Sequence, residues 1–280
     1  MVNKQSKFRS IDDILGKFDP LKDKYISREF QKYGYDLAQD LGDLRSRSLY
    51  IKLAKEEPRE VLEKIKYDVL DSKVGNKKKL FMWKVGQYRW RKKLEQGRLE
   101  KSFFESSPDQ VAIKLLGKIL VTIDEYNVLR AGEIVETEAY FGQEDLASHA
   151  RFGQKGRAKI MFGEVGVAYV YLIYGTHSMF NIVVHRKGQA GAVLIRSLKP
   201  IVSGKGKIAC GPGKLTAWLK IDKNLNGEGL IDSPRFWIAK GREIDKSKID
   251  SSPRIGVEYA EDWTDKQFRF WIKYSRYISK

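Results

Sequence analysis

Apolar residues in the first hundred positions recur three and four apart. Between Ser27 and Lys55, Phe30, Tyr33, Leu37, Leu41 and Leu44 form one stripe, the spacing of an amphipathic helix. Pro58 suits a first helical turn, and Val61, Leu62, Ile65, Val69 and Leu70 form a second stripe behind it. Gly75-Asn76 marks a break. The spacing predicts a helical region over residues 1–97, with a boundary near Gly97. From Ser102 the period changes. Ser106-Ser107-Pro108-Asp109 is a helix-start signal, and "QVAIKLLGKILVTI" then passes from a helical stripe through Gly117 into a β-rich run. "GEIVETEAY", "VAYVYLIYG", "MFNIVVH" and "GAVLIRSL" have the texture of strands. "GPGKLTAWLKI" reads as a tight turn opening a short helix, and "RIGVEYAEDWTDKQFRFWI" as late strand and loop. A β-rich core with a few helices over 98–280 is an α+β pattern.

Charge adds a partner class to this outline. The 280 residues carry a formal net charge of +17. Residues 1–100 hold 25 lysines and arginines against 16 acids, and the remainder 28 against 20, so both regions can face one polyanion. A nucleic acid and an acidic membrane surface are the two candidates. No apolar run approaches the roughly 20 residues of a membrane span, so no membrane span is expected. The start of the chain, Met1 to Phe8, is basic and polar and lacks a signal-peptide core. Cys210 is the only cysteine, which excludes an internal disulfide and a Cys-rich zinc site and fits a reducing compartment. The three histidines, His149, His177 and His185, have no metal-ligand spacing, and neither metal nor other cofactor is expected.

Three clusters carry candidate chemistry. Strand alternation puts Glu136, Glu138 and Tyr140 on one face and Val135, Thr137 and Ala139 on the other. Such acids lie either on a solvated face or at a paired, functional site. Tyr169 and Tyr171 share a face of the next strand, while Tyr174 stands before Gly175 at a turn tip; core packing and an exposed wedge are the two readings. Arg196 interrupts an apolar strand and needs an anionic partner, in the protein or in a ligand. In the helical region, Trp83, Tyr88 and Trp90 interleave with cations that include Lys92 and Lys93. That mixture suits phosphate and base contacts, or a helix whose rings pack inward.

Order and wording decide more than any single cluster. "VETEAYFGQEDLASHA", "MFGEVGVAYVYLIYGTHSMFNIVV", "AVLIRSL", "CGPGKL" and "PRIGV" follow one another over about residues 102–273. In this they resemble the alkyladenine (3-methyladenine, N-methylpurine) DNA glycosylase family. Residues 1–97 lie outside the resemblance. It implies a single catalytic domain with a curved antiparallel sheet, similar to the C-terminal domain of formyltransferases, and a β-hairpin that inserts into DNA. It implies an enzyme that flips alkylated or deaminated purines from duplex DNA and hydrolyses the N-glycosidic bond, leaving an abasic site. In that family's pattern Glu138 matches the water-activating carboxylate, and Arg196 an arginine near the water and the target phosphate. Tyr140, His149 and Tyr171 match the slot around the flipped base, Asn181 the residue guarding against the guanine amino group, and Tyr174 the intercalating tyrosine.

The resemblance further implies double-stranded DNA as partner, a monomer, and a cytoplasmic, nucleoid-associated or nuclear location without secretion. It leaves some positions unmatched. The segment between Pro200 and Cys210 is short, Ala158 or Lys159 stands where an asparagine is usual, and "WIKYSRYISK" lacks the usual glycine-proline ending. Glu144 and Asp145 are expected in a solvated loop. A non-catalytic nucleic-acid-binding protein and an RNA-binding or formyltransferase-like module are the rival functions, and the glutamate at 138 argues against a mere binder.

Overall fold

The structure is a computed structural model and describes residues 29–279. The helical expectation for residues 1–28, including the start of the stripe at Ser27, lies outside the described residues. Contacts divide the chain into two compact units, one ending at Tyr88 and one beginning at Arg89.

In the first unit the single helix expected from Ser27 to Lys55 is two: α1, Glu29–Asp40, and α2, Arg47–Glu56. The break lies at Gly42, which takes the left-handed conformation at φ +67°. Asp43 N–H donates back to the Ala38 carbonyl at 2.8 Å and Gly42 N–H to that of Gln39 at 3.0 Å, closing a glycine C-cap. The helix α3, Arg59–Leu70, follows Pro58 as expected. Asn76 then accepts from the Lys79 N–H at 3.0 Å and opens α4, Lys77–Gln96. Leu37, Tyr50, Leu53, Leu62, Val69 and Phe81 close the core of this unit.

The second unit is α+β. Eight antiparallel strands form one sheet: β1 Ile119–Ile123, β2 Leu129–Tyr140, β3 Ala168–Ile173, β4 His177–Val183, β5 Ala192–Val202, β6 Phe236–Ala239, β7 Ile249–Ser252 and β8 Arg269–Ile272. The spatial order is β3-β4-β5-β2-β1-β6, with β7 and β8 off this path. β2 is the centre. It pairs with β5 along one edge, while β1 and then β8 share the other. The two short strands β6 and β7 have no clear signal in sequence.

Two helices back the sheet. Pro108 starts α5, Pro108–Leu115, and Thr137 Oγ1 donates to the Ala112 carbonyl at 3.0 Å, fastening this helix to one face of β2. Gly211 at φ +118° and Pro212 open α6, Pro212–Leu219, whose Thr216 hydroxyl reaches the Ser178 carbonyl of β4 at 2.9 Å.

Gly117 joins α5 to β1 at φ +83°, and a Cβ there would lie 2.5 Å from the Arg242 carbonyl oxygen. Both the left-handed backbone and the backbone contact oppose a side chain. Gly117→Ala is expected to lower the stability of the second unit by about 1–3 kcal/mol. Urea unfolding of the two proteins side by side measures it.

Candidate active site

The site begins with a double irregularity between β2 and β5. Ile134 pairs with Leu198, Glu136 with Ser197, and Thr137 with Ile195. One extra residue, Val135, is therefore fitted into β2, and one, Arg196, into β5. The second bulge takes Arg196 out of register and turns it onto the two glutamates of β2. Its Nε donates to Glu136 Oε1 at 3.1 Å, and a terminal nitrogen lies 3.2 Å from Glu138 Oε1. Arg196, Glu136 and Glu138 are all buried. Burial opposes the charge on the guanidinium, but the Glu138 and Glu136 carboxylates outweigh it and hold its pKa above the ordinary arginine value.

Each carboxylate has further partners. Glu136 accepts from Arg269 Nε at 2.7 Å and from the Ser279 N–H and hydroxyl at 2.6 and 2.7 Å. Glu138 Oε1 also accepts a hydrogen bond from the Ile255 backbone N–H at 2.9 Å, and Oε2 accepts one from the Tyr140 hydroxyl at 2.8 Å. A carboxylate offers about four acceptor positions. Two are filled by these hydrogen bonds and Arg196 lies against Oε1, which leaves one on Oε2. Burial and the neighbouring Glu138 charge push the Tyr140 pKa far up, so the phenol stays protonated and donates.

Asp145 does not lie in a solvated loop; Glu144 is exposed, but Asp145 is fully buried. Its carboxylate holds the Arg254 guanidinium at 2.6 and 2.9 Å and caps the Phe141 and Ala147 N–H groups. Arg254 also donates to the Ala139 carbonyl at 2.9 Å, and its guanidinium carbon lies 4.7 Å from the centre of the Tyr140 ring. The next N–H in the chain is the one that Glu138 receives. Sequence alternation offered no signal for this pair, because the two residues are 109 positions apart.

Beside these residues opens a cleft of about 560 Å³, lined among others by Tyr140, His149, Tyr171, Asn181, Arg196 and Tyr259. His149 meets Tyr171 edge to face, centroids 4.8 Å apart and planes at 72°, and the Tyr169 ring lies 5.1 Å from that of Tyr171. Arg157, which sequence reasoning missed, sits 5.2 Å above the Tyr171 ring. Burial, with the positive charges of Arg157 and Arg151, pulls the His149 pKa down to about 4, so the imidazole is neutral at pH 7. Its Nδ1 is 2.7 Å from the Tyr169 hydroxyl; with Tyr169 donating this bond, the imidazole proton is carried on Nε2. Burial pushes the Tyr171 pKa up to about 12. Asn181 is buried, and its amide donates to the Tyr169 carbonyl at 3.2 Å. The lining is thus aromatic on the ring side, with the Arg157 guanidinium over the Tyr171 ring, and carries the Arg196 guanidinium toward Glu138. Such a slot accepts a flat, cationic or neutral ring and places a carboxylate behind it.

Tyr174 stands at the β3–β4 turn, 93% exposed, at the rim of the same cleft. Tyr174 and Gly175 have φ of +51° and +71°, the left-handed pair that suits a tight hairpin. Of the helical candidates, Trp83 belongs to the first unit and is exposed. In the second unit Lys92 and Lys93 are exposed, while Trp90 packs against a cluster containing Leu94, Val121 and Trp237 with Lys93 Nζ 5.1 Å from its ring centre. Among the described residues no group of three His, Cys, Asp or Glu side chains could hold a metal ion, and no helix is long and apolar enough to cross a membrane.

The model of the methylpurine-DNA glycosylase family matches residues 102–276. A protein of Legionella pneumophila (strain Corby) is 44% identical over 183 residues, covering 65% of this chain and 98% of that protein. One of Myxococcus xanthus is 42% identical over 183 residues, covering 65% and 93%. One of Methanocella arvoryzae is 39% identical over 198 residues, covering 65% and 96%. All three carry the name "Putative 3-methyladenine DNA glycosylase". The chain is a DNA glycosylase, a hydrolase of the bond between base and sugar. This chain belongs to the methylpurine-DNA glycosylase family.

The depressed His149 pKa has a signed consequence. In the unfolded chain the ring takes up its proton near pH 6.5, whereas in the folded protein it does so near 4. Between those values the unfolded state binds the extra proton, so stability falls as pH drops through this window and is unaffected above it. The His149 ring resonances are expected to stay constant from pH 7.5 to 5.5 in an NMR titration. A His149→Asn variant should lose part of the acid sensitivity of unfolding over the same interval.

Proposed function

We propose that the chain removes alkylated purines, and more slowly deaminated ones, from duplex DNA by a Glu138-activated water, leaving an abasic site. The carrying observation is the one open acceptor position on Glu138 Oε2, beside an arginine and behind an aromatic slot. The basic surface holds phosphates without reading sequence. Tyr174, exposed at the hairpin turn, enters the stack where the target nucleotide leaves it, and the base swings into the slot between Tyr140, His149 and Tyr171. Asn181 borders the slot and rejects bases with the guanine amino group. The neutral His149 offers an N–H donor, while the rings attract a positively charged purine by roughly 0.5–2 kcal/mol per contact.

Hydrolysis then needs little more. A water oxygen attacks the sugar C1′, and Glu138 accepts its proton on Oε2. The C1′–N bond breaks with its electron pair passing to the purine. Glu138 and the sugar interact favourably as positive charge develops on C1′. Arg196 keeps the carboxylate fixed through Oε1 and faces the phosphate beside the target. A glycosidase usually needs a second carboxyl to protonate an oxygen leaving group. An alkylated purine already carries that positive charge, so a single acid suffices. No lysine stands at a motif position for a Schiff base, and hydrolysis without strand cleavage follows. The protein acts as a monomer, inside the cell.

Single-turnover excision tests the reading. Wild type should release 3-methyladenine and leave an alkali-labile site. Glu138→Gln should bind the duplex with similar affinity but release base at least about a hundredfold more slowly. Hypoxanthine, a neutral leaving group, should leave more slowly than 3-methyladenine. Tight binding without release by either protein would mark a binder on this scaffold.

The exposed Lys92 and Lys93, together with Trp83 and the helical region 1–97, add affinity for DNA on this reading. Cutting the chain at residue 97 would strip Trp90 and Leu94 from the core they complete. Reversing the charges, Lys92→Glu with Lys93→Glu, leaves that core intact. It should weaken binding to undamaged duplex and lower the slope of log affinity against log salt by about 2. An unchanged slope would remove these lysines from the interface.

A further inference from the structure

A second cleft, of about 480 Å³, opens at the β7–β8 end of the second unit. Lys199, Arg242, Lys248, Lys273 and Arg276 all line it, and among the described residues no acidic side chain does. Glu133, buried nearby, is taken up by Arg242 at 2.6 Å and Lys199 at 3.9 Å. Asp245 accepts from the Ser247 N–H and hydroxyl at 2.8 and 2.6 Å. No salt bridge reaches Lys248, Lys273 or Arg276 among the described residues. The backbone forces two of these three together, because Lys273 N–H donates to the Lys248 carbonyl at 2.9 Å. Tyr274 beside them is fully exposed and held at φ +60°. Five cations around one concavity, with only Glu133 and Asp245 as neighbouring counter-charges among the described residues, leave an excess of positive charge that a bound anion relieves.

The location separates this cleft from the active site. Val135 and Ile272 form its apolar floor. Ile272 and Phe270 alternate with Trp271 along β8, and Trp271 pairs with Glu136, Phe270 with Thr137. The floor is therefore on the Thr137 face of the sheet, opposite the face that carries Glu136 and Glu138.

We propose that this cleft binds the sugar–phosphate backbone of a second DNA segment while the hairpin face holds the first. Lys248, Lys273 and Arg276, which make no salt bridge among the described residues, suit a protruding phosphate ridge, and a flat lipid surface would meet only the rim. The exposed Tyr274 ring adds a face on which a sugar or a frayed base can lie. The proposal assumes, with the reading above, that the hairpin face binds DNA. A protein that holds two segments can pass from one to the other without release.

Bridging between two duplexes tests this with the full-length protein. One undamaged duplex carries a donor dye and the other an acceptor. Energy transfer should appear when protein is scarce relative to DNA and vanish in protein excess. The triple variant Lys248→Ala, Lys273→Ala, Arg276→Ala should lose about fivefold or more of the bridging signal, given a salt slope lowered by roughly 0.9 for each lost phosphate contact. Its single-turnover release of 3-methyladenine should stay within twofold of wild type, which also shows that it folds. Absence of bridging by wild type, or equal bridging by the variant, would overturn the proposal. So would capture by anionic vesicles without bridging, or a matching loss of base release, which would assign these cations to the first duplex. Failure of wild type to release any base would sink the glycosylase reading alone and leave the bridging result standing.

Discussion

Two carboxylates buried two residues apart on a central strand are an unstable arrangement unless positive charge lies between them. Arg196 supplies it. Desolvating an ion costs several kcal/mol even after relaxation, and only close, well-bonded partners offset that. Arg196 bonds Glu136 through Nε and approaches Glu138 through a terminal nitrogen, and Arg269 shares the charge of Glu136. The pairing of β2 with β5 yields to this demand. Both strands carry an extra residue at the same place, and without the bulge at 196 the side chain would follow strict alternation. The register of the sheet and the position of the acid are one constraint.

A second ion pair carries the site outward from that centre. Arg254 and Asp145 are each buried completely, and their contact fixes three things at once: the carbonyl of Ala139, the plane of Tyr140, and the loop whose Ile255 N–H reaches Glu138. Glu138 is consequently bonded from its own strand, from β5 and from a loop more than a hundred residues later. A carboxylate held from three directions does not need to reorganise when a ligand arrives, which is the condition for electrostatic preorganisation. Such rigidity also explains why one acceptor position, and not several, is left open.

Much of this was legible in the chain. The 3.6-residue stripes located the helices, and alternation located β2 through β5, because each of these elements buries one face against a core. Alternation also placed Glu136, Glu138 and Tyr140 on one side of β2. Gly42 was present in the sequence as a stop signal, yet the apolar stripe continued across it through Leu44 and masked the break. β6 and β7 are four residues each, too short for a period to register. Asp145 was read as solvated because its partner lies at 254, and a pairing over such a separation leaves no local trace. The same holds for Arg157 against Tyr171 and for the cations of the second cleft, which come from β5, the loop before β7, and the segment after β8.

The charge distribution then acquires a physical order. A net charge of +17 would make a poor environment for a cationic base if it were uniform. Here the cations near the cleft are either matched by carboxylates, as Arg196 and Arg254 are, or set above a ring, as Arg157 is. The histidine of the slot is neutral because burial and those same arginines deny it a proton. The ring side of the cleft is therefore aromatic, with one guanidinium over Tyr171 and a carboxylate behind. The cations without partners lie elsewhere, on the rim of the opposite face, where nothing in the chemistry of base release requires them and where a phosphate backbone can reach. On the proposed mechanism, separation of the two kinds of charge lets one strongly basic protein hold a polyanion on its outside and stabilise a developing cation within.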